Sequence, residues 1–470
     1  MIPLAFLIGI ALPTVCGWLL LRLLEGKTPV LLRMERWALG FLAGLMLTMS
    51  ATFLGAVAGL PLSLPLFLGV QIVLVLALIA GCKLSFGIWF PSAPPSSLPP
   101  SGRVPRWAAV LLMLLGVWTA AKICVGGVLL VSTPPRFDDT VKNWNLRGKI
   151  FFTTHALDTS VAPEEQDILG GLRSYPPGVS LAKTWLSLLA GQWNEGLANS
   201  IHIVWFFTVL LLLYSLLRRC VTTPWALFGV YLLTSLPLFM IHGVSAYADV
   251  FLSAHVLAAV GLLFLAVREE DAARRRTFLR LDALMLALLP LTKNEGLVLY
   301  LPILLMLLMG CLFFLQRRQR LSTRELCLNI LGFAGTIAVL ALPWLAYKWL
   351  NGFTFGNAKA LTGLAVSWNP LALQAIAVML FFEGSWLLMV PLLALLLLFG
   401  RRIAFTQPLL VLTFFLCGAF LVQILLFTVT ALANEALYQT GFGRGLIHLM
   451  PVAVLLLTIL AHWLLSPEKE

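Results

Sequence analysis

The sequence predicts an all-α polytopic membrane protein of about 13 transmembrane helices, on three observations. Hydrophobic residues make up 60% of the 470 and charged ones only 11%, a balance foreign to a soluble globular chain. The apolar residues fall in long runs, most of about 18 or more, the length over which a helix crosses hydrocarbon while satisfying its own backbone. Every second connection between the runs is rich in Lys and Arg.

The spans lie near 3–21, 37–58, 62–82, 107–131, 199–217, 224–242, 249–267, 281–293, 296–315, 328–349, 373–399, 407–430 and 446–465. No basic segment precedes the first, and Arg22, Lys27, Arg33 and Arg36 follow it. That pattern favours a retained helix with an external N-terminus over a cleaved signal. Segments 22–36, 83–106, 218–223, 268–280, 316–324, 400–406 and 466–470 together hold 21 of the 32 Lys and Arg, which assigns them to the cytoplasm. The net charge of +12 thus records orientation, and no nucleic-acid partner is expected. The seven Cys fall in or beside spans without a CxxC pair, so neither a disulfide framework nor a zinc site is indicated.

Only 35 residues, 281–315, separate the basic segment ending at Arg280 from the one beginning at Arg317. A single helix there would put those segments on opposite sides and bury Lys293 and Glu295 in lipid, at about 3 kcal/mol for a central charge. A hairpin follows, with LTKNEG at its external turn. Its first arm of about 13 residues is roughly 20 Å long, which holds the charged turn just below the outer surface.

Two connections are long. The cytoplasmic stretch PSAPPSSLPPSGRVPR (91–106) reads as a linker. The external segment 132–198 carries Asp138, Asp139, Asp158, Glu164, Glu165, Asp167 and Glu195, and its apolar content favours order. Within it, DDTVKNWNLRGKIFF sets Val141, Trp144 and Phe151 on one helical side, and SYPPGVSLAKTWLSLLAG repeats Leu181, Trp185 and Leu188 with Pro177 in its first turn. Both read as helices lying flat at the interface.

Four short motifs now stand in order on the external side: the acidic pair Asp138 and Asp139 after a span, YPP (Tyr175 to Pro177), AYAD (Ala246 to Asp249) and TKNEG (Thr292 to Gly296). In that combination, over 107 to about 350, the chain resembles the GT-C superfamily of membrane glycosyltransferases, near the bacterial protein O-mannosyltransferase and aminoarabinose transferase relatives. The resemblance implies a seven-helix catalytic core over 107–350. A three-helix extension and linker (1–106) would precede it, and variable helices (351–470) would follow. It also implies an inverting transfer of sugar from a polyprenyl-phosphate donor to a glycan, lipid or protein acceptor, on the periplasmic face of the bacterial inner membrane. The acid of the first external loop acts there as base, and the match falls on Asp138 or Asp139.

The chemistry explains those demands. An attacking hydroxyl must lose its proton to a carboxylate, and the departing phosphate monoester gains charge that a cation stabilises. External cations are Lys293, Lys348, Lys359, Arg444, Arg136 and the other basic residues of the long loop. Lys293 and Arg444 lead for donor-phosphate binding because each sits in a polar break, TKNEG or QTGFGRG. Tyr175, Asp249 and Glu295 are the expected substrate contacts. Each residue also has a plainer reading. Paired acids after a span are ordinarily solvated loop charges; adjacent positions of a helix point apart, and the reading leans to Asp138 as base. Asp249 and Glu295 suit helix N-termini, and His255 suits an interhelical donor.

Lys122 and Glu383 lie within spans without a partner that the sequence names. They motivate a second reading, a secondary transporter or lipid flippase with intramembrane coupling charges. No internal repeat supports it. No HxxxH or HExxH spacing marks a metal site, and no GxxxxGK[ST], GxGxxG or GxSxG motif is present. A late external loop of the kind an O-antigen ligase needs is also missing.

Overall fold

The computed structural model describes residues 2–87, 105–135, 138–159, 172–355 and 366–465. Among them every regular element is helical, the all-α membrane fold expected from the sequence. Ten helices are long and apolar enough to cross a membrane, or 11 if one bent pair counts as a span. The linker 91–104, Arg136, Glu164, Glu165, Asp167 and Lys359 lie outside the described residues.

Helices α1 (Ile2–Glu25) and α2 (Arg33–Val57) touch backbone to backbone. A Cβ at Gly44 would lie 1.7 Å from the Pro13 carbonyl oxygen, and one at Gly17 would lie 1.9 Å from that of Gly40. Small residues allow such approach in lipid, where dispersion contact replaces the hydrophobic effect. At the turn between the two helices Glu25 accepts from Val30 N and Leu31 N at 2.8 and 2.9 Å and from Arg36 at 2.8 Å. Glu35 holds Arg219 of a later connection at 2.5 Å. The basic connections thus gather at one end of the bundle with their own acids.

Helices α3 (Leu64–Phe86) and α4 (Arg106–Ser132) lead to the long loop. There a π-helical turn, Thr140–Asn145, runs into α5 (Leu146–Thr154), and α6 (Gly178–Ala190) follows. The second of these expected interfacial helices is enclosed rather than half-exposed, because α6 packs against α1, α2, α5 and α7 (Glu195–Arg218). Trp185 Nε1 donates to Gly9 O at 3.0 Å, and Thr184 Oγ1 donates to Gly148 O at 3.0 Å. Ser180, Lys183 and Thr184, polar residues that made α6 read as amphipathic, are spent on neighbouring elements, and water does not reach them.

The span expected at 224–242 is bent by 84° between α8 (Thr223–Ser235) and α9 (Pro237–Gly243), because Pro237 cannot continue the ladder. Helix α10 (Asp249–Arg268) runs through the centre of the bundle, with α11 (Ala272–Leu288) beside it. The expected hairpin forms: α11, a short 3₁₀ turn, the TKNEG turn, then a π-helical turn (Gly296–Tyr300) opening α12 (Leu301–Arg317). Helix α13 (Thr323–Leu350) closes the core.

The span expected at 373–399 divides into α14 (Pro370–Phe381) and α15 (Met389–Phe399). Gly384 and the left-handed Leu387 (φ 52°) interrupt it. The freed Ser385 carbonyl accepts from Leu238 N at 3.3 Å, so this break and the Pro237 break satisfy each other. The short α16 (Arg401–Ala404), then α17 (Leu410–Val429), α18 (Ala433–Leu437) and α19 (Gly441–Leu465) complete the chain.

Inside α6, Lys183 Nζ donates to Asn145 Oδ1 and Asn199 Oδ1 at 2.5 and 2.9 Å. Burial pushes its ammonium down from 10.5 to about 7, with Glu195 opposing the shift. Between pH 7 and 10 the unfolded chain therefore holds a proton that the folded chain does not, and stability rises with pH by at most about 1.4 kcal/mol per unit. Thermal unfolding in detergent across that window should show the midpoint climbing, and Lys183→Met should remove this part of the climb.

Candidate active site

At the end of the bundle opposite the basic connections, the carboxylate of Asp249, fully buried, is surrounded by groups from three other elements. Oδ1 accepts from Lys293 Nζ at 2.7 Å and His448 Nε2 at 3.1 Å, and Oδ2 accepts from Arg444 Nε at 3.1 Å. His242 Nδ1 lies 3.2 Å from Oδ2, close enough for attraction but off the line of a good hydrogen bond. Asp249 opens α10, where the helix dipole favours an anion, yet the carboxylate makes no capping bond and is spent on this cluster.

The cations arrive by local rules. Lys293 is delivered by the TKNEG turn, where Gly296 has no room for a side chain: a Cβ there would meet Leu289 O at 2.3 Å. Arg444 and His448 lie one turn apart on α19 and so share a face. His448 is satisfied as the Nε2–H tautomer: Nδ1 accepts from Tyr300 Oη at 3.0 Å, and that hydroxyl accepts from Gln423 Nε2 at 3.1 Å.

Arg444 is the hinge of the site. Besides Asp249 it holds Asp139, Nη1 to Oδ2 at 2.6 Å, and its guanidinium lies 4.9 Å from the Tyr247 ring centroid. Thr140 Oγ1 donates to Ala246 O at 3.2 Å, which fastens the turn after the acidic pair to AYAD. The two adjacent acids part here. Asp139 faces the cluster with its side chain 36% exposed, whereas Asp138 pairs at 2.9 Å with Lys142 and is 73% exposed, against the lean to Asp138.

Glu295 reaches Lys293 at 3.2 Å. Partial burial opposes its charged form, but Lys293 outweighs that and holds its carboxyl below the ordinary range. Burial, and then the charge of Glu295, puts the Tyr175 phenol well above its usual value. Tyr175 packs edge-on against Trp144 at 5.3 Å. All seven residues expected from the sequence except Asp138 meet in this one constellation. His242, His448 and Tyr247 were not assigned to it; the i, i+4 spacing of Arg444 and His448 was the available signal. Among the described residues no group of three or more His, Cys, Asp or Glu is placed to hold a metal ion.

Lys122, Glu383 and His255, the polar groups within spans that the sequence singled out, have structural partners. Lys122 Nζ donates at 2.7 Å to Thr234 O, a carbonyl whose usual helical donor, Leu238 N, bonds Ser385 instead. Glu383 accepts from Gln439 Nε2. His255 Nδ1 turns back to Phe251 O of its own helix at 3.0 Å, not to a neighbouring helix.

The fold and its buried polar cluster define a polytopic all-α membrane protein, and its helical bundle has solved counterparts. Among solved structures the chain is similar to ArnT from Cupriavidus metallidurans in the apo state, with a TM-score of 0.53 at 14% identity over 75% of this chain. The same protein bound to undecaprenyl phosphate gives 0.53 at 13% identity over 75%. The chain spans 60% of the length of those structures. No family model matches it, and no curated protein matches it by sequence.

Removing the Asp249 charge leaves Lys293 and Arg444 buried against each other, so Asp249→Asn should lose about 3 kcal/mol or more, read as a lower unfolding midpoint in detergent. Lys122→Met exposes one orphaned carbonyl and should lose only about 1 to 3 kcal/mol by the same assay.

Proposed function

We propose that this chain is an inverting glycosyltransferase that moves a sugar from a polyprenyl-phosphate carrier to an acceptor hydroxyl at the periplasmic face of a bacterial inner membrane. The observation that carries the reading is the pair of carboxylates, Asp139 and Asp249, held on one guanidinium, Arg444, at the mouth of a bundle whose fold is shared with ArnT. The ArnT structure bound to undecaprenyl phosphate supports a lipid-borne donor.

The residues divide the work by exposure. Asp139 is reachable and serves as base: its carboxylate takes the proton of the acceptor hydroxyl as that oxygen bonds the anomeric carbon. The bond from that carbon to the phosphate oxygen breaks on the opposite face, its electron pair leaves with the polyprenyl phosphate, and the configuration inverts. Asp249 is fully enclosed and saturated with donors, so it fixes Lys293, Arg444 and His448 in place. Lys293 and Arg444 stabilise the charge developing on the departing oxygen. Tyr175 and Glu295, each partly exposed, are placed to contact sugar hydroxyls.

The test is transfer of radiolabelled sugar by the purified chain from a panel of polyprenyl-phosphate sugars, with membrane extract as acceptor. Asp139→Asn should lose about 100-fold or more of the transfer rate while Asp138→Asn stays within about 3-fold. No transfer from any donor, or equal rates in both variants, overturns the reading.

A further inference from the structure

The Asp249 cluster sets two cations, Lys293 and Arg444, against three carboxylates, Asp139, Asp249 and Glu295. It carries no surplus positive charge with which to seat a phosphate. A neighbouring place does. Arg147, on α5, is fully buried, and none of its three guanidinium nitrogens has a partner among the described residues. A buried guanidinium without an acceptor is costly, and its high intrinsic pKa prevents escape by deprotonation.

A second cation lies within its field. Lys348, near the end of α13, is fully buried and feels the charge of Arg147. Its ammonium donates to Ser174 O at 2.7 Å and to Asn294 Oδ1 at 3.0 Å, which leaves one N–H direction. Those partners adjoin Tyr175 and Lys293, so the two cations border the proposed reaction centre. Lys348 also rests 5.4 Å from the Trp344 ring centroid.

Trp344 marks the mouth of an apolar path. It lines a cleft of about 200 Å³ with Phe53, Pro176 and Pro343. A second cleft of about 700 Å³ continues along α13 to Leu328, and Leu47, Val339 and Leu340 line both. The path follows about 16 residues of helix, roughly 24 Å.

We propose that Arg147 and Lys348 form an anion seat for the phosphate of a lipid whose chain lies in the groove along α13. Resting on the proposed function, this assigns the carrier's phosphate oxygens to Arg147 and Lys348 and leaves Lys293 and Arg444 at the scissile bond. Arg147 without an acceptor and Lys348 without a counter-charge, the latter beside Trp344 at the head of an apolar groove, select a ligand that is anionic at one end and apolar along its length, not free phosphate.

Binding, not transfer, tests the seat, so its failure is separable from failure of the enzyme reading. The full chain in detergent is titrated with undecaprenyl phosphate, undecaprenol, phosphatidylcholine or inorganic phosphate, with the unfolding midpoint as readout. Only undecaprenyl phosphate should raise the midpoint. Arg147→Met should raise the ligand-free midpoint by relieving an uncompensated charge, and should weaken the lipid at least 10-fold. Lys348→Met should also weaken it. Leu340→Trp, which fills the junction of the clefts, should weaken the lipid while both cations remain. An equal shift from undecaprenol or from inorganic phosphate overturns the seat. So does a lowered ligand-free midpoint in Arg147→Met with lipid binding intact. Should Arg147→Met not fold, Lys348→Met and Leu340→Trp decide alone, and undiminished lipid binding in both overturns the seat.

Discussion

One buried carboxylate organises this molecule. Taking Asp249 out of water costs several kcal/mol unless donors replace the water, and the donors come from far apart in sequence, Lys293 from the α11–α12 turn and Arg444 and His448 from α19, with His242 of α9 close by. Satisfying that charge therefore fixes the relative depth of four helical elements. Because Arg444 has a second hand for Asp139, it also draws the start of the long loop down onto the bundle. The tight turn at Gly296 and the Thr140 contact to Ala246 follow from the same requirement.

The fold class was legible because lipid leaves the chain few options. Runs of apolar residues, and Lys and Arg in alternate connections, suffice to place most spans. Where backbone geometry departs from a straight helix the pattern fails. Residues 373–399 are apolar throughout, and hydropathy does not register that Leu387 turns left-handed or that Ser385 finds a partner in the bend at Pro237. The enclosure of α6 was hidden for a related reason: its Ser, Thr and Lys residues look solvent-facing until the carbonyls and amides that receive them are in view.

At the site, sequence motifs found the residues and left their division of labour open. Asp138 and Asp139 are chemically equivalent in a string of letters; as neighbours just ahead of the π-helical turn they point apart, Asp139 toward Arg444 and Asp138 toward Lys142. The buried partner that Lys293 and Arg444 share, Asp249, stays hidden in the sequence because it lies 44 and 195 residues away. Arg147 was one of several basic residues of the long loop among the candidate cations, and nothing in the sequence separated it from the solvated ones.

The order in which the cluster's members are made has a consequence for assembly. Arg444 follows Asp249 by 195 residues, about 10 to 40 s of synthesis at ordinary rates. For that interval α10 and the turn carrying Lys293 stand in the bundle without the guanidinium and imidazole of α19. Helix α19 is thus a closing member as well as a binding one. A nascent chain interrupted before it would hold Asp249 without two of its donors within the membrane. Placing a required cation 195 residues after its carboxylate makes synthesis of α19 the condition for a settled interior.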